Sequence, residues 1–246
     1  MDTYMLIAIA ALMAVAAALY SSVGHGGASA YLAIMALFSV APETMRPTAL
    51  ALNLVVAGLG SARYWLRGQV SWRLLFAFAV TATPAAFLGG QIHLPPEYYK
   101  PLVGVLLIAA AVRLFWSPKQ LAWREVKTPS LLIALPVGAA LGFLAGLTGT
   151  GGGIFLSPLI LILGWEKPRV TSGVVAAFIL ANSAAGLAGN VATLGDLPAE
   201  TPWLLAAVAA GALAGVWLGV RRLPQPALLR VLGLVLIVAG AKLLFT

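Results

Sequence analysis

Cysteine is missing from this sequence altogether. Disulfide bonds, thiolate nucleophiles and cysteine-ligated metals are therefore excluded. Only two histidines occur, His25 and His93, and no pair of carboxylates lies within an apolar stretch, so we expect no metal site. The sequence also lacks a Gly-Lys-Ser/Thr nucleotide-binding motif. These absences predict a protein that is not an enzyme and that needs no cofactor.

Charged residues are scarce as well, at 9% of the 246 residues against 61% hydrophobic residues. A soluble domain carries about a quarter charged residues. Apolar runs such as 102–112 and 204–220 recur, and about 20 mostly apolar residues suffice for a helix to cross a bilayer. The net charge of +8 comes from basic residues that stand singly or in pairs beside apolar segments, so it does not indicate nucleic-acid binding. We predict an all-α, multi-pass protein of the cell inner membrane, embedded in the lipid bilayer.

The helical pattern occurs twice. We predict five helices in residues 1–116, a polar linker over 117–130, and five more helices in residues 131–246, which together form one membrane domain. The two sets lie near 4–20, 28–39, 47–65, 74–90 and 97–116, and near 131–147, 154–163, 168–189, 202–220 and 226–245.

The two halves match in residues other than leucine and alanine. Gly24-His25-Gly26-Gly27 aligns with Gly149-Thr150-Gly151-Gly152, Arg46-Pro47-Thr48 with Arg169-Val170-Thr171, and Leu94-Pro95 with Leu223-Pro224. Chance similarity between two alanine- and leucine-rich stretches is the alternative. The order and spacing of the matches favour a repeat.

The second helix of each half is short and follows a glycine-rich break. About 12 helical residues reach roughly 18 Å, whereas the hydrocarbon core is about 30 Å thick. We therefore predict that the first two helices of each half form a re-entrant hairpin with its glycine-rich tip near the midplane. Three full crossings then follow in each half, and because this number is odd, the repeats are inverted. The competing interpretation treats the first two helices as one or two full crossings, and eight full spans would then place the repeats in parallel.

The basic residues support a cytoplasmic linker. On this topology 12 of the 15 lysines and arginines lie on the linker side, as the positive-inside rule requires. The remaining three, on the outer side, are Arg46, Lys100 and Lys242.

The two glycine-rich tips are the candidate binding site. Irregular backbone at membrane depth must be buried or line a cavity, and the N-terminus of the helix after each break carries unpaired amides and a positive dipole end. Such ends bind anions. No charged residue lies near the predicted centre of a span, so neutral donors would hold the anion. The candidate residues are Ser21, Ser22, Gly24, His25, Gly26, Gly27, Asn53, Thr148, Gly149, Thr150, Gly151, Gly152 and Asn182.

Each of these residue types also has a structural interpretation. Glycines in membrane helices often serve close packing, which we predict for Gly211 and Gly215. For His25 a structural role and a functional role have about equal weight. Asn53 and Asn182 either face the site or form hydrogen bonds between neighbouring helices.

These residues make the sequence similar to the sulfite exporter TauE/SafE family of membrane transporters, also called the toluene-sulfonate uptake permease family. The resemblance covers essentially the whole chain, and the motifs that carry it are 21–27, 146–153 and Arg63-Tyr64-Trp65-Leu66-Arg67-Gly68-Gln69-Val70-Ser71-Trp72. It implies a secondary carrier that moves sulfite, thiosulfate or organosulfonate anions across the bacterial inner membrane. Protons are a candidate coupling ion, with His25 as the proton-linked group. An anion channel and a non-transporting membrane scaffold or assembly protein are the alternatives.

Overall fold

The computed structural model describes residues 3–22, 25–115, 126–191, 197–218 and 225–245. Within these residues the chain forms ten α-helices and no strand. They are α1 Thr3–Ser22, α2 Ala28–Leu37, α3 Pro42–Leu66, α4 Trp72–Gln91, α5 Pro96–Phe115, α6 Leu131–Thr148, α7 Gly153–Ile162, α8 Pro168–Gly189, α9 Thr201–Leu218 and α10 Gln225–Phe245.

The prediction of an all-helical chain is confirmed, and one predicted helix start is wrong. We expected the third helix to begin at Pro47, but α3 begins at Pro42 and contains Pro47. A proline fits best in the first turn of a helix, where its missing N–H has no intrahelical partner. Pro42 occupies that position and Glu43 adds an acidic side chain to the same turn, so the start signal lies five residues earlier.

Five helices in the described part of the chain are long and apolar enough to cross a membrane. They are α1, α3, α4, α6 and α8. The short helices α2 and α7 have ten residues each, or about 15 Å, roughly half of the hydrocarbon core. In each predicted hairpin, therefore, the first helix alone has the length of a crossing and only the second is short.

Glycines allow two pairs of helices to pack side by side in the same direction. Gly138, Gly142 and Gly146 of α6 lie against the carbonyls of Phe78, Ala82 and Ala86 of α4. Since both series advance by four residues, α4 and α6 run parallel. Gly211 and Gly215 of α9 lie in the same way on Ala14 and Ala18 of α1, which confirms the packing role predicted for these two glycines.

Two other pairs run in opposite directions. Along α3 and α8, Leu50 lies against Gly186, Gly60 against Ala176 and Tyr64 against Gly173. Along α5 and α10, Gly104 lies against Gly240, whereas Phe115 lies against Gly233. In both pairs the residue numbers rise in one helix as they fall in the other, so each helix is antiparallel to the helix at the same position in the other half.

Helix α3 connects the two apolar clusters of the core. Met45, Leu52 and Val56 belong to a cluster formed with α1, α2, α5, α9, α10 and Ile154 of α7. Ala57 belongs to the other, formed with α4, α6, α7 and α8. The residues of α3 that face α8 therefore lie at the centre of the molecule.

The contacts also define two ends of the molecule. One end, which we call the Arg46 end, contains the first turns of α3. There Tyr99 Oη of α5 donates to Thr148 O at the end of α6, at 3.1 Å, and Lys242 Nζ of α10 donates to Leu37 O at the end of α2, at 2.9 Å. The opposite end, which we call the Arg63 end, contains the last turn of α3 and the first turn of α8, since Gly173 packs against Tyr64.

Candidate functional site

The two glycine-rich breaks meet at one buried side chain, that of Asn53. A Cβ atom added to Gly26 would lie 2.6 Å from Asn53 Oδ1, and one added to Gly151 would lie 2.6 Å from Asn53 Nδ2. Each added atom would also lie 3.0 Å from Ile179 Cγ2. Because glycine has no side chain, both backbones approach the amide of Asn53 from different sides, and they do so near the middle of α3.

The second break uses glycine for its backbone geometry. Gly149 ends α6 in the left-handed region with φ of 84° and donates its N–H to Ala145 O at 2.9 Å. Gly151 and Gly152 follow with φ of 73° and 74°. A non-glycine residue pays roughly 1–2 kcal/mol for such a conformation. Three of the four residues 149–152 thus need to be glycine for the chain to turn from α6 into α7.

The second break extends along the direction of α3, from the level of Arg46 to the level of Asn53. Gly149 lies against the backbone of Arg46, in the first turns of α3, whereas Gly151 lies against Asn53. Seven helical residues separate these two levels, or about 10 Å. Thr148 Oγ1 and Thr150 Oγ1 form a hydrogen bond of 3.1 Å within the break.

A hydrogen bond between two side chains connects the helices on either side of the first glycine-rich break. Tyr20 Oη and Ser29 Oγ are 2.7 Å apart and join the end of α1 to the first turn of α2. The N–H of His25 donates to Tyr20 O at 2.9 Å, and the His25 side chain is half-buried. The prediction for Gly24 lies outside the described residues, as does the side chain of Ser22.

The two helix N-termini at the site differ in their capping. Ala28, the first residue of α2, donates its N–H to Asn53 Oδ1 at 3.1 Å. At α7 the N-cap residue is Gly152, which has no side-chain cap. The first amides of a helix lack intrahelical acceptors and carry partial positive charge. The α2 end is therefore partly satisfied by a neutral amide oxygen, while among the described residues the α7 end has no side-chain cap.

Two buried polar side chains near the breaks have no hydrogen-bond partner within the described chain. Asn182 is 0% exposed, and both Oδ1 and Nδ2 are unpaired. Its neighbour Ser183 accepts from Asn53 Nδ2 at 3.3 Å, so Asn182 lies one residue from the contact with Gly151. Tyr31 Oη is also unpaired, and its ring lies against Gly27. Unpaired buried polar groups are rare in folded proteins, which sets Asn182 and Tyr31 apart from the other side chains around the breaks.

The structure brings most of the predicted residues together and separates a few from them. Asn53 touches both breaks through Gly26 and Gly151, and it also forms the hydrogen bonds between helices that we considered as the alternative. Ser21 Oγ, in contrast, donates to Ala212 O of α9 at 3.2 Å. Its hydroxyl therefore supports the packing of α1 against α9. Thr148 Oγ1 likewise donates back to Leu144 O within α6, at 2.6 Å.

Arg46 is a buried cation that our sequence interpretation located on the outer surface. It is only 5% exposed. Its Nη1 donates to Ile92 O at 2.6 Å and lies 3.5 Å from Leu147 O, and its Nη2 donates to Asn190 Oδ1. These acceptors lie at the C-terminal ends of α4, α6 and α8, where the helix dipole is negative. The charge is thus stabilised by three helix ends.

Sequence reasoning missed Tyr31 and Arg46 for different reasons. Tyr31 lies one turn into α2 in an apolar stretch, and only the fold turns its ring onto Gly27. For Arg46 a signal was available, because Arg46-Pro47-Thr48 aligns with Arg169-Val170-Thr171 in the repeat. The two arginines are not equivalent, however, since Arg169 is exposed.

Comparison with known proteins identifies the family. The sulfite exporter TauE/SafE family matches residues 9–243. A relative named "Probable membrane transporter protein y4hK", from Sinorhizobium fredii, is 43% identical over 229 residues, which cover 92% of this chain and 93% of the relative. Another, "Probable membrane transporter protein YjnA" from Bacillus subtilis, is 26% identical over 244 residues, covering 92% and 95%. No solved structure matches the chain.

The relatives are named transporters rather than enzymes, which agrees with the absence of catalytic motifs from the sequence. The match spans nearly all of the helices described above, including both glycine-rich breaks. The chain is therefore a multi-pass membrane transporter that belongs to the sulfite exporter TauE/SafE family.

Proposed function

We propose that the protein is a secondary transporter for a small sulfur-containing anion: sulfite, thiosulfate or an organosulfonate. The anion binds where the two glycine-rich breaks approach Asn53. The observation that carries this proposal is the contact of Gly26 and Gly151 with opposite atoms of the same buried amide. It means that the N-terminal ends of α2 and α7 point toward one small volume in which the described residues include no charged side chain.

The binding strength of such a site suits a transporter. Each helix N-terminus contributes ~1 kcal/mol toward an anion, and each neutral hydrogen bond contributes ~1 kcal/mol. An anion held in this way can be released on the other side of the membrane.

The hydrogen bond of Asn53 supports the proposed position of the anion. Its Oδ1 accepts the N–H of Ala28 at the start of α2, as an oxygen of a bound anion would. A sulfur oxyanion that enters the site displaces this amide and accepts the same N–H group. The unpaired Nδ2 of Asn182 and the hydroxyl of Tyr31 supply additional donors.

We further infer that the two halves are inverted repeats, with residues 1–116 and 131–246 as the repeats and 117–130 as a cytoplasmic linker. The antiparallel packing of α3 with α8 and of α5 with α10 supports this arrangement, because parallel repeats would pair these helices in the same direction. An inverted pair of half-crossing helices gives access to the same site from both sides, as in other secondary transporters.

The function is tested by flux measurements on the purified protein in proteoliposomes. We expect saturable uptake of sulfite, thiosulfate or a sulfonate, with counterflow, and no uptake of carboxylates of similar size. Conduction without saturation or counterflow would indicate a channel. If no sulfur anion is moved, and none raises the melting temperature of the folded protein, the transporter proposal is wrong and the scaffold alternative gains support.

The proton-linked role of His25 is tested in the same vesicles. Histidine changes its charge close to neutral pH, so a proton-coupled carrier that uses His25 has a flux that depends on pH in this range. We expect His25→Ala to remove that dependence. A flux of the unmodified protein that does not change with pH excludes the role.

A further inference from the structure

Arg63 is an arginine in the last turn of α3, within the Arg63–Trp72 motif that the proposed site does not use. The side chain is half-buried. Its position along α3 is fixed by the contacts on either side, since Gly60 lies against Ala176 and Tyr64 against Gly173. Arg63 is therefore level with the first turns of α8, about 15 Å from Asn53 along the helix.

Two nitrogens of this guanidinium are buried without an acceptor. Both Nε and Nη1 are shielded from solvent and form no hydrogen bond. In the part of the chain that the structure describes, no carboxylate pairs with Arg63 either. A buried charged donor without a partner is strongly unfavourable. Arg63 therefore needs an acceptor that the described chain does not provide.

Arg46, near the other end of the same helix, shows the contrast. Both terminal nitrogens of its guanidinium have acceptors: Nη1 donates to Ile92 O and Leu147 O, and Nη2 donates to Asn190 Oδ1. No external ligand is needed there. Of these two arginines, Arg63 is the one whose buried nitrogens have no acceptor in the described chain.

A buried hydroxyl without a partner lies near the same level. Thr171 is 1% exposed, and its Oγ1 has no hydrogen-bond partner. It precedes by two residues Gly173, which packs against Tyr64. An acceptor with several oxygens satisfies an arginine and neighbouring hydroxyls better than a single carbonyl does.

We propose that Arg63 binds an oxyanion at the Arg63 end of α3, at a second position separate from Asn53. Guanidinium N–H groups match the oxygens of sulfur and phosphorus oxyanions in geometry and charge. The ligand is either the transported anion at the mouth of its path, in which case the inference rests on the proposed function, or the phosphate of an anionic lipid headgroup.

The test compares Arg63→Gln with Arg67→Gln in the purified full-length protein. Arg67 is exposed and lies one turn further on, so it controls for loss of one positive charge at the same end. The measurement is the shift in melting temperature as sodium sulfite, or separately phosphatidylglycerol, is added at constant ionic strength. We expect Arg63→Gln to weaken the binding of one of them by about tenfold or more, with Arg67→Gln close to the unmodified protein.

Loss of the sulfite effect identifies the transported anion as the ligand, and loss of the lipid effect identifies a headgroup site. The inference is overturned if Arg63→Gln binds both probes like Arg67→Gln, or if neither probe stabilises the unmodified protein. Arg63→Lys, which keeps the charge but not the planar donors, serves as a second variant and should bind with intermediate strength. If flux is absent but stabilisation still depends on Arg63, the transport proposal fails and the Arg63 site stands.

Discussion

At the scale of single residues, the candidate site depends on the absence of a side chain at two glycines. Gly26 and Gly151 leave room for the amide of Asn53, and any side chain at either position would occupy that room. The two glycines differ in one respect, because only Gly151 has a positive φ, of 73°. Substitution at Gly26 therefore adds volume alone, whereas substitution at Gly151 adds volume and backbone strain.

Gly26→Ala is expected to weaken the binding of a sulfur anion by about tenfold, or ~1.4 kcal/mol, because the new methyl group lies in the space at Asn53 Oδ1 that the proposed anion occupies. Gly151→Ala should weaken it further and also lower stability by about 1–2 kcal/mol through its left-handed backbone. Titration of the melting temperature with sulfite measures both effects.

Gly58→Ala is the matched control for these substitutions. A Cβ atom added to Gly58, in the middle of α3, would lie 3.9 Å from Leu180 Cδ1, which is an ordinary contact. This variant should bind like the unmodified protein and gain up to about 1 kcal/mol of stability. Unchanged affinity in Gly26→Ala and Gly151→Ala would remove the breaks from the site.

At the scale of helices, Arg46 joins elements that are distant in sequence. It links the first turns of α3 to the C-terminal ends of α4, α6 and α8, next to Gly149. Helix C-termini leave carbonyls without partners, and in an apolar surrounding these must be satisfied. A single cation meets this need for α4 and α6, is held at the end of α8 by the Asn190 side chain, and fixes the second break relative to α3.

Arg46→Gln should therefore lower stability by about 2 kcal/mol, because at least one of the three acceptors loses its donor. The melting temperature of the purified protein measures the loss. Arg169→Gln, at the exposed arginine that the repeat aligns with Arg46, should stay within about 0.5 kcal/mol of the unmodified protein. Equal effects of the two substitutions would contradict the role assigned to Arg46.

At the scale of the whole molecule, the proposed inverted repeats and the alternative of parallel repeats place the ends of the helices on different sides. In an inverted arrangement the start of α5 and the end of α10 lie on the same side of the membrane. In a parallel arrangement they lie on opposite sides. Glu97, at the start of α5, and Phe245, at the end of α10, are both exposed, so the two arrangements can be separated by labelling.

Because the chain has no cysteine, single cysteines report their own position without background. We expect Glu97→Cys and Phe245→Cys to react with a membrane-impermeant maleimide in intact cells. Arg67→Cys, at the Arg63 end, should react only after the cells are permeabilised. Labelling of Glu97→Cys and Phe245→Cys from opposite sides would rule out the inverted repeats.

The amino-acid sequence by itself determined the number and the approximate positions of the helices. Apolar runs separated by proline, glycine and short polar segments predicted ten helices at nearly their observed positions, because helix length and termination are local properties. The start of α3 was missed by five residues, since two prolines compete there and only the acidic Glu43 favours the earlier one. The glycine-rich breaks and Asn53 were also visible from local pattern alone.

Only the tertiary structure decided which of those residues meet. It turned Ser21 toward α9, left Asn182 and Tyr31 unpaired, and brought Arg46 to three helix ends. It also gave Asn53 a hydrogen bond to the first amide of α2, 25 residues earlier in the chain. These outcomes depend on how helices distant in sequence pack and turn relative to one another. Hydrophobic periodicity fixes which residues are apolar, but in a membrane protein it says little about the partner of each polar side chain.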